Sequence, residues 1–273
     1  MSCRLPGADG LDEFWNLLNE GRTDLGELPP DRFDRELYYD PRKGVRTKSY
    51  TTLGGITSDR PFDPNCCPIS DDLLESSHKV HLKLLDVAVS ACRHAGLDPF
   101  ALGKRNIGVY TGHTPPSVEI GKLLYGGQIT QTAPLLHEVD GFDQLFGDQS
   151  HAVIADPIAP VRQESASDNK LVKLCSNAFH APVLISRALG LSGPAMSFDA
   201  ACASGMRALG HAARALQLGN IEAAIVGAAS CCSVDTLTLF SAAQSVSPHG
   251  SRPFDEDADG LVAAEGYIIL VIK

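Results

Sequence analysis

The stretch SFDAACASGMRALG, Ser197 to Gly210, decides how this chain is read. An apolar, strand-like run, PAMSFDAA, leads into it, and a helix-like run, SGMRALGHAARALQLG, leads out. Cys202 falls between them, on a tight strand-to-helix turn. Ala200, Ala201, Ala203 and Gly205 around it are too small to cover the sulfur. The arrangement is that of a nucleophile elbow, in which a sharp turn holds a reactive side chain clear of the sheet. The start of the following helix brings unpaired N–H groups and a partial positive charge. Both favour thiolate over thiol and are expected to lower the pKa from its usual value of about 8.5. Thiolate is the nucleophile, so the stretch predicts acyl transfer to sulfur at Cys202. On local physics alone, a buried structural cysteine at a helix start is the plain alternative.

Working outward, the second half of the chain alternates strand and helix. A helical pattern runs from about Asn169 to Leu189, with Pro182 expected to kink or split it. EAAIVGAAS (222–230) reads as a strand, TLTLFSAAQS (236–245) as a short helix, and LVAAEGYIILVIK (261–273) as one or two closing strands. This alternation predicts an α/β fold with a mixed, largely parallel sheet flanked by helices. Upstream, LDEFWNLLNEG (11–21) has helical spacing, and residues 27–60 read as a long ordered loop. Residues 71–99 read as one strong helix with Gly96 as its stop, and NIGVYTG (106–112) as a buried strand. Residues 126–167 are expected to hold loops and short helices.

Composition narrows the function. A formal net charge of −10 over 273 residues argues against a nucleic-acid partner, which calls for a basic face. The one basic run, PRKGVRTK (41–48), reads as a solvated loop, with a docking patch for an acidic partner as the alternative. No apolar run reaches the eighteen or so residues that a membrane span needs, and the first residues lack the layout of a signal peptide. A cytoplasmic protein with no membrane association is expected. None of the eight cysteines forms a C-x-x-C pair, so no metal site is expected from them. DEDADG (255–260) copies the start of a calcium loop, but its twelfth position is Gly266 rather than an acid. No phosphate-binding glycine motif is present.

The histidines offer no obvious base. His78 and His81 share a helix face and read as surface or boundary residues. His113 follows a strand end and reads as a loop residue, with a cavity-lining role as the alternative. His211 is nine residues after Cys202, about two and a half helical turns on, and so points away from the thiol.

GPAMSFDAACASG followed by SRPFDEDADGLVAAEG resembles the β-ketoacyl synthases, the condensing enzymes of fatty-acid and polyketide synthesis. Asp199, Ala201, Cys202, Ala203 and Ser204 match the family's nucleophile segment. Arg252, Pro253, Phe254, Asp255, Asp259, Gly260, Glu265 and Gly266 match its second motif. SCRLPGADGLDEFWNLL, PPDRFD, YYDP and FDPNCCPIS carry the likeness upstream, with Cys66 and Cys67 where the family has aromatics.

The resemblance implies a thiolase-like fold, of which residues 1–273 would be the N-terminal half only. It implies that Cys202 takes an acyl group from a carrier-protein thioester. The acyl-enzyme is then attacked by the carbanion left when a malonyl-type extender loses CO2. Phe240 lies where relatives place a residue lining the acyl pocket. No cofactor is implied, the substrates riding on the phosphopantetheine of an acyl carrier protein. Carrier protein, a C-terminal ketosynthase half in the same or another chain, and a second copy in a homodimer are the implied partners. The family's catalytic histidines belong to that C-terminal half, and its opening motif follows an apolar strand of which Met1 would mark the end. The chain is therefore expected to be a piece of the enzyme. Ala200, Gly205 and Ala264 depart from the family pattern without removing the nucleophile. A thiolase-fold scaffold that binds a partner chain or carrier protein without condensing is the alternative reading.

Overall fold

A computed structural model describes residues 1–113, 133–155 and 177–273. Eight strands are found there: β1 (Ser2–Arg4), β2 (Gly26–Glu27), β3 (Leu53–Gly55), β4 (Ile107–His113), β5 (Ala195–Phe198), β6 (Ala223–Ser230), β7 (Ala263–Ala264) and β8 (Gly266–Ile272). Helices among the described residues include α1 (Leu11–Asn19), α2 (Arg35–Tyr38), α3 (Asp71–Glu75), α4 (Lys79–His94), α5 (Phe142–Phe146), α6 (His180–Ala188), α7 (Ser204–Gln217) and α8 (Val234–Ala242).

The main sheet has the order β1-β8-β6-β4-β5. Its β6-β4-β5 side is parallel, and β8 and β1 add antiparallel strands at the other side. Strand alternation divides the side chains between two layers. Ile107, Val109 and Ile225 face α4 and α6, meeting Leu84, Leu85, Ala88, Ala181 and Ile185. Tyr110, Ala224 and Val226 face α7, meeting Ala208 and Ala212. Helices on both faces of a buried sheet bury both sets, which explains why β4 and β6 read as continuous apolar runs. Residues Ser2–Arg4, expected to follow a strand ending at Met1, themselves form strand β1 and pair with Tyr267–Ile269 of β8.

Several elements differ from their sequence reading. The helix expected over 71–99 is two helices, because Ser76 and Ser77 turn their hydroxyls back onto the Leu73 carbonyl and compete with the helical ladder. His78 then starts α4 as its cap, accepting from the Val80 amide. Pro182 makes no kink: it is the third residue of α6, in the first turn, where no N–H is required. Residues 169–176 of that expected helix lie outside the described residues. α8 begins two residues earlier than its periodicity suggested and stops before Gln244, which adopts φ +53°. The loop at 27–60 contains α2 and β3, and β3 joins β2 and β7 in a small second sheet. No described helix is long and apolar enough to cross a membrane.

Candidate active site

The carboxyl ends of the parallel strands open into a cavity of about 630 Å3. Gly112 and His113 reach it from β4, Asp199 from the turn after β5, and Ala228 to Ser230 from β6. Ala264, Glu265 and Ile268 come from the closing strands, and Leu239 and Phe240 from α8. Cys202 lies on its wall and is exposed.

The elbow that carries Cys202 is built by its neighbours. Residues Ala201–Ala203 form a single 3-10 turn, and α7 starts at Ser204. Ala201 has φ +50°, a left-handed conformation that costs a non-glycine residue roughly 1–2 kcal/mol. Two side chains hold it there. The Asp199 carboxylate accepts from the Ala201 amide at 3.1 Å. The buried Ser204 hydroxyl donates to the Ala201 carbonyl at 2.7 Å and accepts from the Ala200 amide at 2.8 Å. Gly112 lets this turn approach the sheet, since a Cβ there would lie 2.4 Å from the Gly205 nitrogen. The sequence placed Cys202 on such a turn, and Asp199 and Ser204 were read only as motif matches. Their polar type beside a strand end was the available signal. The need for glycine at 112 leaves none, because it arises between segments far apart in sequence.

Phe240 is among the residues that line this cavity, partly buried beside the exposed Leu239. His211 stacks on Phe198, with ring centroids 4.7 Å apart, and is not among the cavity-lining residues. The other histidines require correction. His78 and His81 are buried, not at the surface, because α4 packs this part of its face on the sheet. His113 is not in a loop: it is the last residue of β4, buried, and lines the cavity. Burial holds its imidazole below the usual histidine range.

The remaining described cysteines divide by burial. The Cys92 thiol is pushed up to about 11 by burial. That of Cys232 is pushed up to about 12 by burial and the nearby Glu265. The adjacent thiols of Cys66 and Cys67 share a hydrogen bond that raises the first and lowers the second. Cys231 is partly buried on the cavity wall. Cys175 lies outside the described residues.

Glu265 gives the cavity its back wall and a charge network. Its carboxylate, 3% exposed as a residue, pairs with Arg32 at 2.8 Å and accepts from the Thr57 hydroxyl at 2.9 Å. Lys83 lies 3.9 Å away and donates to Thr57 at 3.0 Å. The acidic loop that copied a calcium motif uses its carboxylates internally. Asp259 accepts from Ser247 and His249, and Asp255 accepts from the Asp257 amide. Among the described residues no group of three potential ligands converges on a metal position.

A mixed sheet sandwiched by helices, with a turn-borne cysteine at the carboxyl ends of its parallel strands, defines a thiolase-like α/β protein with a candidate cysteine site. The chain belongs to the β-ketoacyl synthase family: the family model described as "Beta-ketoacyl synthase, N-terminal domain" matches residues 1–273. It is 30% identical over 277 residues to a mycocerosic acid synthase-like polyketide synthase of Mycolicibacterium smegmatis. It is 31% identical over 278 residues to the non-reducing polyketide synthase nscA of Trichophyton rubrum. Both alignments take in all of this chain, but only 11% and 13% of those relatives. Among solved structures, a ketosynthase from module 6 of the bacillaene synthase of Bacillus subtilis 168 matches with a TM-score of 0.72 at 25% identity, over 100% of this chain and 39% of that one. An oxazolomycin ketosynthase domain from Streptomyces albus, 24% identical with a TM-score of 0.69, shares the fold.

Proposed function

We propose that this chain is the nucleophile-bearing part of a ketosynthase of the polyketide type, with Cys202 as its acyl acceptor. The observation that carries the reading is an exposed cysteine on a strained turn in the wall of this cavity, in a chain of this family. The Cys202 thiolate attacks the carbonyl carbon of a carrier-bound acyl thioester, and the carrier's phosphopantetheine thiolate leaves. A malonyl-type extender on a carrier protein then loses CO2. The electron pair left behind attacks the Cys202 thioester carbonyl, forming the C–C bond and releasing Cys202 as thiolate. In this reading the unpaired amides at the start of α7 are the groups that would stabilise charge on the acyl oxygen. Phe240 and Leu239 give the acyl chain apolar surface to bury. No cofactor is needed for these steps. The histidines that assist decarboxylation come from a C-terminal ketosynthase half, in the same or another chain.

The test is transfer of a labelled acyl group from a small thioester, followed by peptide mapping. Label on Cys202, lost in Cys202→Ala, supports the reading. Label elsewhere, or retained in that variant, overturns it. Carrier-protein binding with no acyl transfer would favour the scaffold reading instead.

A further inference from the structure

The run 41–48 carries four cations, Arg42, Lys43, Arg46 and Lys48, and no acid, in a chain of net charge −10. A bridge between Tyr39 and Ser49 closes it into a loop. The Asp40 amide donates to the Ser49 carbonyl at 3.0 Å, and the Ser49 amide to the Tyr38 carbonyl at 2.8 Å. The base of this loop stands on the helix that lines the cavity. Ser49 Oγ lies 2.8 Å from Ser241 Oγ of α8, and the Tyr50 hydroxyl donates to the Val246 carbonyl at 2.9 Å, just after that helix. Ser241 follows Phe240 of the cavity wall. A helix with its side chains is about 10–12 Å across, so the loop's anchor and the cavity are one helix apart. The Asp40 carboxylate answers Arg42 at 3.1 and 2.9 Å. The other three cations have no ion pair among the described residues. Lys43 Nζ lies 5.1 Å from the centre of the Tyr50 ring, and Lys48 donates to the Leu37 carbonyl, so both keep their charge. The Arg46 guanidinium is exposed and makes no hydrogen bond among the described residues.

We propose that the loop 41–48 is a docking surface for the acidic face of an acyl carrier protein, holding the carrier beside the cavity while its phosphopantetheine arm enters. The proposal rests on the reading of Cys202 as acceptor of a carrier-borne acyl group, and adds where that carrier is held. Charge decides both the surface and the kind of partner. The cavity wall has the carboxylates of Asp199, Asp235 and Glu265, and no lysine or arginine is among its described lining residues. Attraction for an acidic protein therefore has to come from beside the cavity, and the loop anchored on α8 supplies it. Nucleic acid or an anionic membrane is negative throughout and would meet the chain's own negative charge around the loop. A small protein with one acidic face needs to meet only the loop. The three cations without an ion pair act over about a Debye length, roughly 8–10 Å at ordinary ionic strength. Their effect therefore falls on capture of the carrier and not on the chemistry at Cys202.

Labelling of Cys202 in the whole chain tests this, with one acyl group offered both on a purified bacterial acyl carrier protein and on a small thioester. Raising salt from about 0.05 to about 0.5 M should slow loading from the carrier about tenfold and leave loading from the small thioester unchanged. At low salt, Arg46→Glu should slow loading from the carrier severalfold, and K43E/R46E/K48E about tenfold with the salt dependence gone. Lys104→Glu makes the same change of charge as Arg46→Glu, before β4 and so at the end of that strand away from the cavity, and should slow neither donor. Anisotropy of a fluorescently labelled, unacylated carrier repeats the comparison without chemistry. Salt-dependent binding that the triple variant loses supports the docking surface even where neither donor labels Cys202, a result that counts against the acyl-transfer reading alone. If the triple variant also slows the small thioester, α8 has been disturbed, and R46E, which removes no side-chain contact, decides. Carrier loading and binding equal in wild type and both loop variants, or the same loss in K104E, would overturn the proposal. So would sedimentation with phosphatidylglycerol vesicles that the triple variant loses while keeping its carrier binding, which assigns the loop to a membrane surface.

Discussion

At the scale of single residues, Cys202 depends on the groups that hold its turn. The Ser204 hydroxyl satisfies the Ala200 amide and the Ala201 carbonyl at once. Ser204→Ala leaves both without it, and unfolding in urea should show a loss of about 1–3 kcal/mol. Acyl loading of Cys202 should slow in the same variant, because Ala201 can then relax from its left-handed conformation. Thiol chemistry offers a second measurement. Cys92 and Cys232, pushed up to about 11 and 12, are almost entirely protonated at pH 8 as well as buried. Iodoacetamide at that pH should therefore modify Cys202 well before either, as mass mapping of a time course would show. Equal rates at Cys202 and Cys92 would contradict the exposed elbow. Cys202 itself was legible in the sequence, since small neighbours between strand and helix patterns mark the turn. The buried state of His113 was not, since burial is a property of what packs over a residue.

At the scale of elements, the close approach of α7 to β4 sets where the elbow stands over the sheet. A Cβ at Gly112 would lie 2.4 Å from backbone atoms of Ser204 and Gly205, which cannot yield as a side chain can. Gly112→Ala should cost about 1–3 kcal/mol by overpacking, read as a lowered urea midpoint. Gly210→Ala is the control. That glycine is exposed within α7 with open space around its Cβ position, and alanine there should stabilise by up to about 1 kcal/mol through helix propensity. The loop after α8 gives a pH signature. Hydrogen bonds from Ser247 and His249 hold the Asp259 carboxyl well below its ordinary value of 3.8. The folded form thus binds this proton less readily than the unfolded one. Its stabilisation is complete above 3.8 and lost as pH falls further. Asp259→Asn should be less stable than wild type at pH 7, and that gap should close on acidification below about 4. Periodicity located α1, α7 and β4 well. It ran α3 and α4 together because Ser76 and Ser77 interrupt a pattern of apolar spacing that itself continues across them.

At the scale of the whole molecule, Glu265 joins parts of the chain that share no local sequence. Arg32 comes from the loop before α2, Thr57 from the loop after β3, Lys83 from α4, and all meet its carboxylate before β8. Glu265→Ala would remove the buried partner of Arg32 and Lys83 and leave them only the exposed Asp59, at 3.8 and 3.5 Å, and a loss of about 1.5–3 kcal/mol is expected in denaturant unfolding. A loss within 0.5 kcal/mol, about that of a surface substitution, would mean that the network is not closed in solution. The sequence by itself determined the α/β alternation, the helix-flanked sheet, the position of Cys202 on a strand-to-helix turn and the family. Those features follow from local propensity and hydrophobic period, which neighbouring residues carry. Only the tertiary structure decided which glycine the elbow rests on, that His81 and His113 meet in the dark of the core, and which cations answer Glu265. Those contacts join residues 32 to 233 positions apart, and no local pattern encodes a partner that packing alone brings within reach.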